Sequence, residues 1–274
     1  MAQAAKVFSS LSCFCQSVII PFIPNSSKSG LICQDQIEKF EFCNTLKCRR
    51  EKRSKQMDGK LIVFEGIEGC GKTTQLQRSR QWLTTQLGSE VMTTREPGGT
   101  QLGTEIRQLL LHGEEEIYDR TELLLYAADR AQHVEGFLRP HLEQGHWILC
   151  DRYTDSTIAY QGYGRELDFE LIDQLNQIAT GGLQSDLTLW LDIEVEAGLE
   201  RMQKRGQRDA SGTGKPDRIE QASLDFHHRV RAGFAALAER DRDRVLRIDA
   251  SGSEDEVEER IQTVLSQALA NWEL

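Results

Sequence analysis

KLIVFEGIEGCGKTT, residues Lys60 to Thr74, joins a short β-branched apolar run to a glycine-rich turn and then to a helical period. The run Lys60–Glu65 reads as a buried strand. Gly66-x4-Gly71-Lys72-Thr73 meets the G-x4-G-K-[ST] pattern of a phosphate-cradling loop in full. The physical demand is specific. Glycines let the backbone wrap closely around oxygens with its N–H groups pointing inward. The helix expected from Lys72 to about Leu87 offers its positive N-terminus to the same anion. Lys72 adds a mobile cation for the β- and γ-phosphates, and the Thr73 hydroxyl a ligand for Mg²⁺. Gly66, Ile67, Glu68, Gly69, Cys70, Gly71, Lys72, Thr73 and Thr74 therefore form an ATP or GTP site. The loop does not say what receives the phosphate.

Outward from this loop, strands and helices alternate. EVMTTRE reads as a second strand, HWILCDR (His146–Arg152) as a third, LTLWLDI (Leu187–Ile193) as a fourth and VLRIDA (Val245–Ala250) as a fifth. Helices are expected over Glu105–Leu111, Thr121–Gln144, near Leu167–Thr180, from Glu194 to about Gln203, over Arg218–Arg240 and over Glu254–Ala270. This order implies an α/β fold with a parallel sheet covered by helices on both faces.

The 274 residues carry a net charge of −10, which argues against a general nucleic-acid binder. No apolar run approaches the ~20 residues of a membrane helix. Residues 1–56 hold nine Lys/Arg, four Asp/Glu and five of the seven cysteines, no sustained period, and a charged run ending just before Met57. The fold is expected to span 57–274. The segment 1–56 is read as upstream non-native sequence, as a targeting peptide or as a disordered regulatory arm. Its first 34 residues lack acids, as organelle transit peptides do, but it has no arginine before Arg49. The body, with only Cys70 and Cys150, suits a reducing compartment and a cytoplasmic location, or an organelle if the leader is a transit peptide.

Two features of the loop bear on chemistry. Glu68 places a carboxylate beside phosphates, either turned to solvent or facing an acceptor whose sugar hydroxyl it binds. The loop has no arginine, so a cation for the transferring group must come from elsewhere. Cys70, beside Lys72 at a helix start, is expected to be alkylated with loss of activity and protected by MgATP, unless it is an inert small residue.

Four further blocks are TREPGGT (Thr94–Thr100), YAADR (Tyr126–Arg130), DRYTDSTIAYQG (Asp151–Gly162) and RGQRDASGTGKPDRIE (Arg205–Glu220). With them the chain, from about Lys60 onward, resembles the thymidylate kinase family. The resemblance implies a P-loop NTPase-type three-layer fold, with a five-stranded parallel sheet, a mobile lid over about 205–217 and a homodimer paired through helices such as Thr121–Gln144. It implies transfer of the γ-phosphoryl of MgATP to dTMP, giving dTDP and ADP for dTTP synthesis and DNA replication.

Within that resemblance each block takes a task. Arg95 and Arg152 follow strand ends, where ligands of open α/β sheets bind, and a guanidinium there grips an acceptor phosphate. Asp151 is implied to orient Mg²⁺ through water, unless it merely pairs with Arg152. Tyr126 and Arg130 share a helix face. The family stacks an aromatic, typically Phe, on thymine at the former, and the latter reaches a base carbonyl. Ser156 is implied near the base edge, Tyr160 under the sugar against a 2′-hydroxyl, and Gln161 near sugar or base. Arg205 and Arg208, with Arg218, surround the glycine-bearing lid, and the lid-arginine, bacterial type of the family uses one of them at the transferring phosphoryl. Asp217 and Glu220 are spaced as a helix-capping pair. A deoxynucleoside kinase is the alternative enzyme, but it would leave Arg95 without a phosphate to hold. A non-catalytic nucleotide binder would be expected to lack Lys72, Arg152 or the lid arginines.

Overall fold

The structure, a computed structural model, describes residues 59–113, 115–208 and 217–272, without the side chains of 205–208. The expectations for residues 1–56, for the centre of the lid and for the side chains of Arg205 and Arg208 lie outside the described residues.

Five strands form one sheet: β1 Leu61–Glu65, β2 Val91–Arg95, β3 Trp147–Asp151, β4 Leu187–Asp192 and β5 Val245–Asp249. Their order is β2-β3-β1-β4-β5, and every pairing is parallel. β1 is central, with Leu61 opposite Ile148 on one side and Ile62 opposite Leu187 on the other. A central parallel strand is buried on both faces, which is why LIVFE is apolar up to its last residue. Successive side chains point to opposite faces. Ile62 and Phe64 join one apolar cluster, with Leu76, Leu83, Val230, Phe234 and Ile261. Leu61 and Val63 join a second, with Val134, Leu138 and Leu142. The clusters correspond to the two helical layers.

The helices that build those layers are α1 Lys72–Leu87, α2 Gln101–His112, α3 Asp119–His133, α4 Arg139–Leu142, α5 Thr154–Thr157, α6 Phe169–Thr180, α7 Val195–Arg208, α8 Leu224–Arg240 and α9 Glu254–Asn271. Several bounds differ from expectation for local reasons. The single helix expected over Thr121–Gln144 is two, joined by a wider π-type turn at Val134–Leu138. Pro140, in the first turn of α4, has no N–H to give to an uninterrupted ladder. α2 starts at Gln101 because the Thr100 side chain accepts from Gly103 N. α6 starts at Phe169, capped by Asp168. α7 continues to Arg208, so the first part of the expected lid is helical. α8 starts at Leu224 under a Ser223 cap, not at Arg218. Asp217 and Glu220 do pair as a box, but around a tight turn: Glu220 accepts from Asp217 N, and Asp217 accepts from Ile219 N and Glu220 N.

Candidate active site

All the loops at the C-terminal ends of β1, β2 and β3 open into one cleft of about 720 Å³. The phosphate loop forms one wall. Gly66, Gly69 and Gly71 have φ of 141°, 73° and 96°, conformations that side chains oppose. Two of these glycines are also sites of close approach. A Cβ on Gly66 would lie 2.5 Å from Leu191 O, and one on Gly69 would strike the carbonyl oxygen of Gly198. α1 therefore begins immediately behind a loop that can only be glycine-built, with no acidic residue in its first turn. Its positive end is left for an anion. Lys72 Nζ donates to Gly66 O at 3.0 Å, to Ile67 O at 3.1 Å and to Cys70 Sγ at 3.6 Å, so the ammonium lies within the loop. For Cys70 the structure favours the second of the two alternatives, the inert small residue. Its side chain is 2% exposed and belongs to the core, so it is a packing residue rather than an open nucleophile.

The facing wall is built around Arg152. This residue adopts φ of 73°, unusual for a side chain larger than glycine, with its N–H held by Phe64 O at 3.0 Å. The bend turns its guanidinium into the cleft. There Nη1 donates to Ser156 Oγ at 3.2 Å and Nη2 to Glu68 Oε1 at 2.9 Å, with the Tyr160 ring 4.8 Å away. Tyr160 OH donates to the same Glu68 oxygen at 2.7 Å. Glu68 is thus inside the site and not turned to solvent. Burial opposes its charge, but the adjacent His227 imidazole, the charges of Arg152 and Lys72 and the Tyr160 hydroxyl hold its carboxyl down to about 2.

Behind Arg152 lies Glu65, the fully buried last residue of β1. Its Oε1 accepts from Tyr153 N at 2.9 Å and Ser156 N at 3.1 Å, and its Oε2 from Ser156 Oγ at 2.6 Å. Burial pushes this carboxyl up to about 7, against the pull of Arg152 and the Ser156 hydroxyl. Glu65 thus fixes where Ser156 and α5 stand.

Arg95, Arg107 and Arg152 line the same cleft. Burial and then the charge of Arg95 lower the Arg107 pKa, and Arg152 adds to the effect. Arg107 Nη1 is tethered to Pro97 O at 3.0 Å. Crowded guanidiniums of this kind make an anion site. Tyr126 lines the cleft between them, its phenol pushed up by burial. Arg130 is 2% exposed and its guanidinium is largely engaged. Nε donates to Glu96, Nη1 to Thr157 and Asn176, and Nη2 to Tyr153 O. One Nη2 hydrogen remains for a ligand. Gln161 is also at the cleft, donating to Glu122 at 2.8 Å.

Asp151 lines the cleft too, and its Oδ1 is buried with no hydrogen-bond partner among the described residues. The alternative of a pair with Arg152 is not realised, since Arg152 pairs with Glu68. A spare carboxylate oxygen and the exposed Thr73 hydroxyl fit a hard cation that takes oxygen ligands. Among the described residues there is no cluster of three or more His, Cys, Asp or Glu, so such an ion would draw most of its ligands from phosphate and water.

Arg218 also departs from expectation. It donates to Leu110 O, Ile117 O and the buried Glu122, the last at 2.5 Å, and so anchors the lid's C-terminal stem to α3. Glu122 also accepts from Arg165. Sequence reading missed Arg107 and Glu65. Starting α2 at Gln101 puts Gly103, Ile106 and Leu110 on its buried face and Arg107 at that face's edge. A charged residue ending a fully apolar central strand was the available signal for Glu65.

The family model described as thymidylate kinase matches residues 64–261. A thymidylate kinase of Cyanothece sp. is 57% identical over 230 residues, covering 79% of this chain and 97% of that protein. One of Nostoc punctiforme is 58% identical over 211 residues, covering 76% and 96%. The crystal structure of thymidylate kinase from Ehrlichia chaffeensis superposes with a TM-score of 0.60 at 33% identity, covering 76% of this chain and 98% of that one.

Proposed function

The chain belongs to the thymidylate kinase family, and from that premise we propose that this cleft transfers the γ-phosphoryl group of ATP to dTMP. The bond between the γ-phosphorus and its bridging oxygen breaks, ADP leaves with the electron pair, and a dTMP phosphate oxygen forms the new bond, giving dTDP. The reacting oxygen is already anionic, so the chemistry needs position and charge compensation more than a base. The observation that carries the reading is the joining of the phosphate loop to Arg95, Arg107, Arg152 and Tyr126 in one cleft.

The backbone of Gly66–Thr74 cradles the ATP phosphates. Lys72 exchanges the Gly66 and Ile67 carbonyls for phosphate oxygens. Arg152, Arg95 and Arg107 take the acceptor phosphate, Tyr126 stacks on the base, and Arg130 and Ser156 meet its edge. Tyr160 and Glu68 face the sugar, with Gln161 near sugar or base. Arg205 and Arg208 supply the lid's positive charge at the transferring group. Thr73 and Asp151 would hold Mg²⁺, which would neutralise phosphate charge. The protein acts as a homodimer; exposed Leu124 and Ile178, on the mutually packed α3 and α6, support this. Residues 1–56 lie outside the catalytic domain, and the enzyme works in the cytoplasm, or in an organelle if they are a transit peptide. No helix among the described residues is long and apolar enough to cross a membrane.

The test is ADP release from MgATP with dTMP, dUMP, UMP, dCMP, AMP, GMP and thymidine each offered as acceptor. Preference for dTMP supports the proposal. Turnover of thymidine but not dTMP would move the chain to the nucleoside kinases.

A further inference from the structure

His227, in the first turn of α8, is 1% exposed, and neither ring nitrogen has a hydrogen-bond partner among the described residues. Buried polar groups without partners are costly, and each calls for a reason. Nδ1 lies 3.5 Å from Oε2 of Glu68. Oε2 is itself buried and unsatisfied among the described residues. The Glu68 carboxylate thus has two sides. Its Oε1 receives Tyr160 OH and Arg152 Nη2 at the cleft, whereas Oε2 looks back to the imidazole. The final torsion of a glutamate is broad and two-fold, so a carboxylate held at one oxygen is free to swing. A donor at the second oxygen fixes its plane. The helix that carries His227 is held against this wall, because the ring of its neighbour Phe226 meets Tyr160 edge-on at 6.2 Å and His227 itself at 5.5 Å.

We propose that His227 is a positioning residue for phosphoryl transfer. Its Nδ1–H donates to Oε2 of Glu68 and sets the carboxylate plane that presents Arg152 and Tyr160 to the acceptor nucleotide. The contact shortens by roughly 0.6–0.8 Å from its 3.5 Å, to a charge-assisted bond of about 2.7–2.9 Å, as the site fills. This deepens the reading of the cleft as the dTMP site and rests on it for the identity of the acceptor alone.

The full chain, labelled with ¹⁵N-histidine, tests the pairing without turnover. The His227 resonance, assigned by its loss in His227→Phe, is expected to report a proton on Nδ1 and to move in Glu68→Gln. An unmoved resonance overturns the proposal whatever the enzyme phosphorylates. In kinetics, His227→Phe should lower kcat/KM for dTMP by about tenfold or more, as loss of a hydrogen bond to a charged group does. The KM for ATP should stay unchanged. His227→Asn, which keeps an amide donor near the Nδ1 position, should recover most of the loss. In the double variant, His227→Phe should add little to Glu68→Gln. Equal loss for both nucleotides, no rescue by Asn, or multiplicative effects in the double variant would make His227 a packing residue only. Were wild-type enzyme to turn over an acceptor other than dTMP, the nucleotide reading would fall while the resonance still decided the pairing.

Discussion

Replacing Glu65 by glutamine should flatten the pH dependence of stability. Glu65 is fully buried at the end of the central strand, and burial raises its carboxyl from 4.5 to about 7. A carboxyl whose folded pKa lies above its unfolded value binds its proton more tightly when folded. Its contribution to stability is therefore greatest at low pH and is lost as pH rises from 4.5 through about 7. That interval corresponds to roughly 3 kcal/mol, and full burial leaves solvent little part in screening it. Glutamine keeps an oxygen for the Tyr153 and Ser156 N–H groups and offers its amide to Ser156 Oγ, without titrating. Asp129, raised to about 6 by burial and then by the charge of Glu96, titrates in both proteins and cancels in the difference. Urea unfolding of wild type and Glu65→Gln at several pH values between about 4.5 and 8 reads the effect. Wild type should lose up to roughly 3 kcal/mol relative to the variant across that range. Parallel curves would refute the reasoning, because they would show that Glu65 does not titrate between its unfolded and folded values.

Arg107→Ala should raise the KM for dTMP by about tenfold, as loss of one charge-assisted contact does, and leave the KM for ATP alone; an equal rise in both would make Arg107 a loop tether only. Lys72→Ala and Arg152→Ala should cut turnover by about three orders of magnitude or more with circular dichroism unchanged, and near-normal rates would remove their assigned roles. Gly69→Ala should lower the melting temperature far more than Gly71→Ala. Both have positive φ, costing about 1–2 kcal/mol, but only the former's Cβ meets Gly198, while nothing lies within 4 Å of the latter's. Equal effects would show that conformation alone matters. Cys70, at 2% exposure, should react with thiol reagents only as the domain unfolds, followed by mass spectrometry of its peptide; rapid native-state labelling would contradict its burial.

Five parallel strands, the glycine-rich loop, Arg95 closing β2 and Arg152 just past β3 were all legible along the chain. Those signals are local: a run of apolar residues, glycine spacing, a charge next to a strand end. Helix bounds were read less well, since caps such as Thr100 and Ser223 and the placement of Pro140 decide them. How those residues pair, and which of them are buried, depends on contacts between distant elements. Glu68 and His227 stand in different elements far apart in the chain and meet only because α8 lies against the wall carrying Tyr160. Arg218, grouped by sequence with the arginines around the lid, is held by Glu122 on α3. Cys70, beside a lysine at a helix start, is covered by the core. In each case a residue's chemistry depends on the groups that folding brings around it, and spacing along the chain carries no record of them.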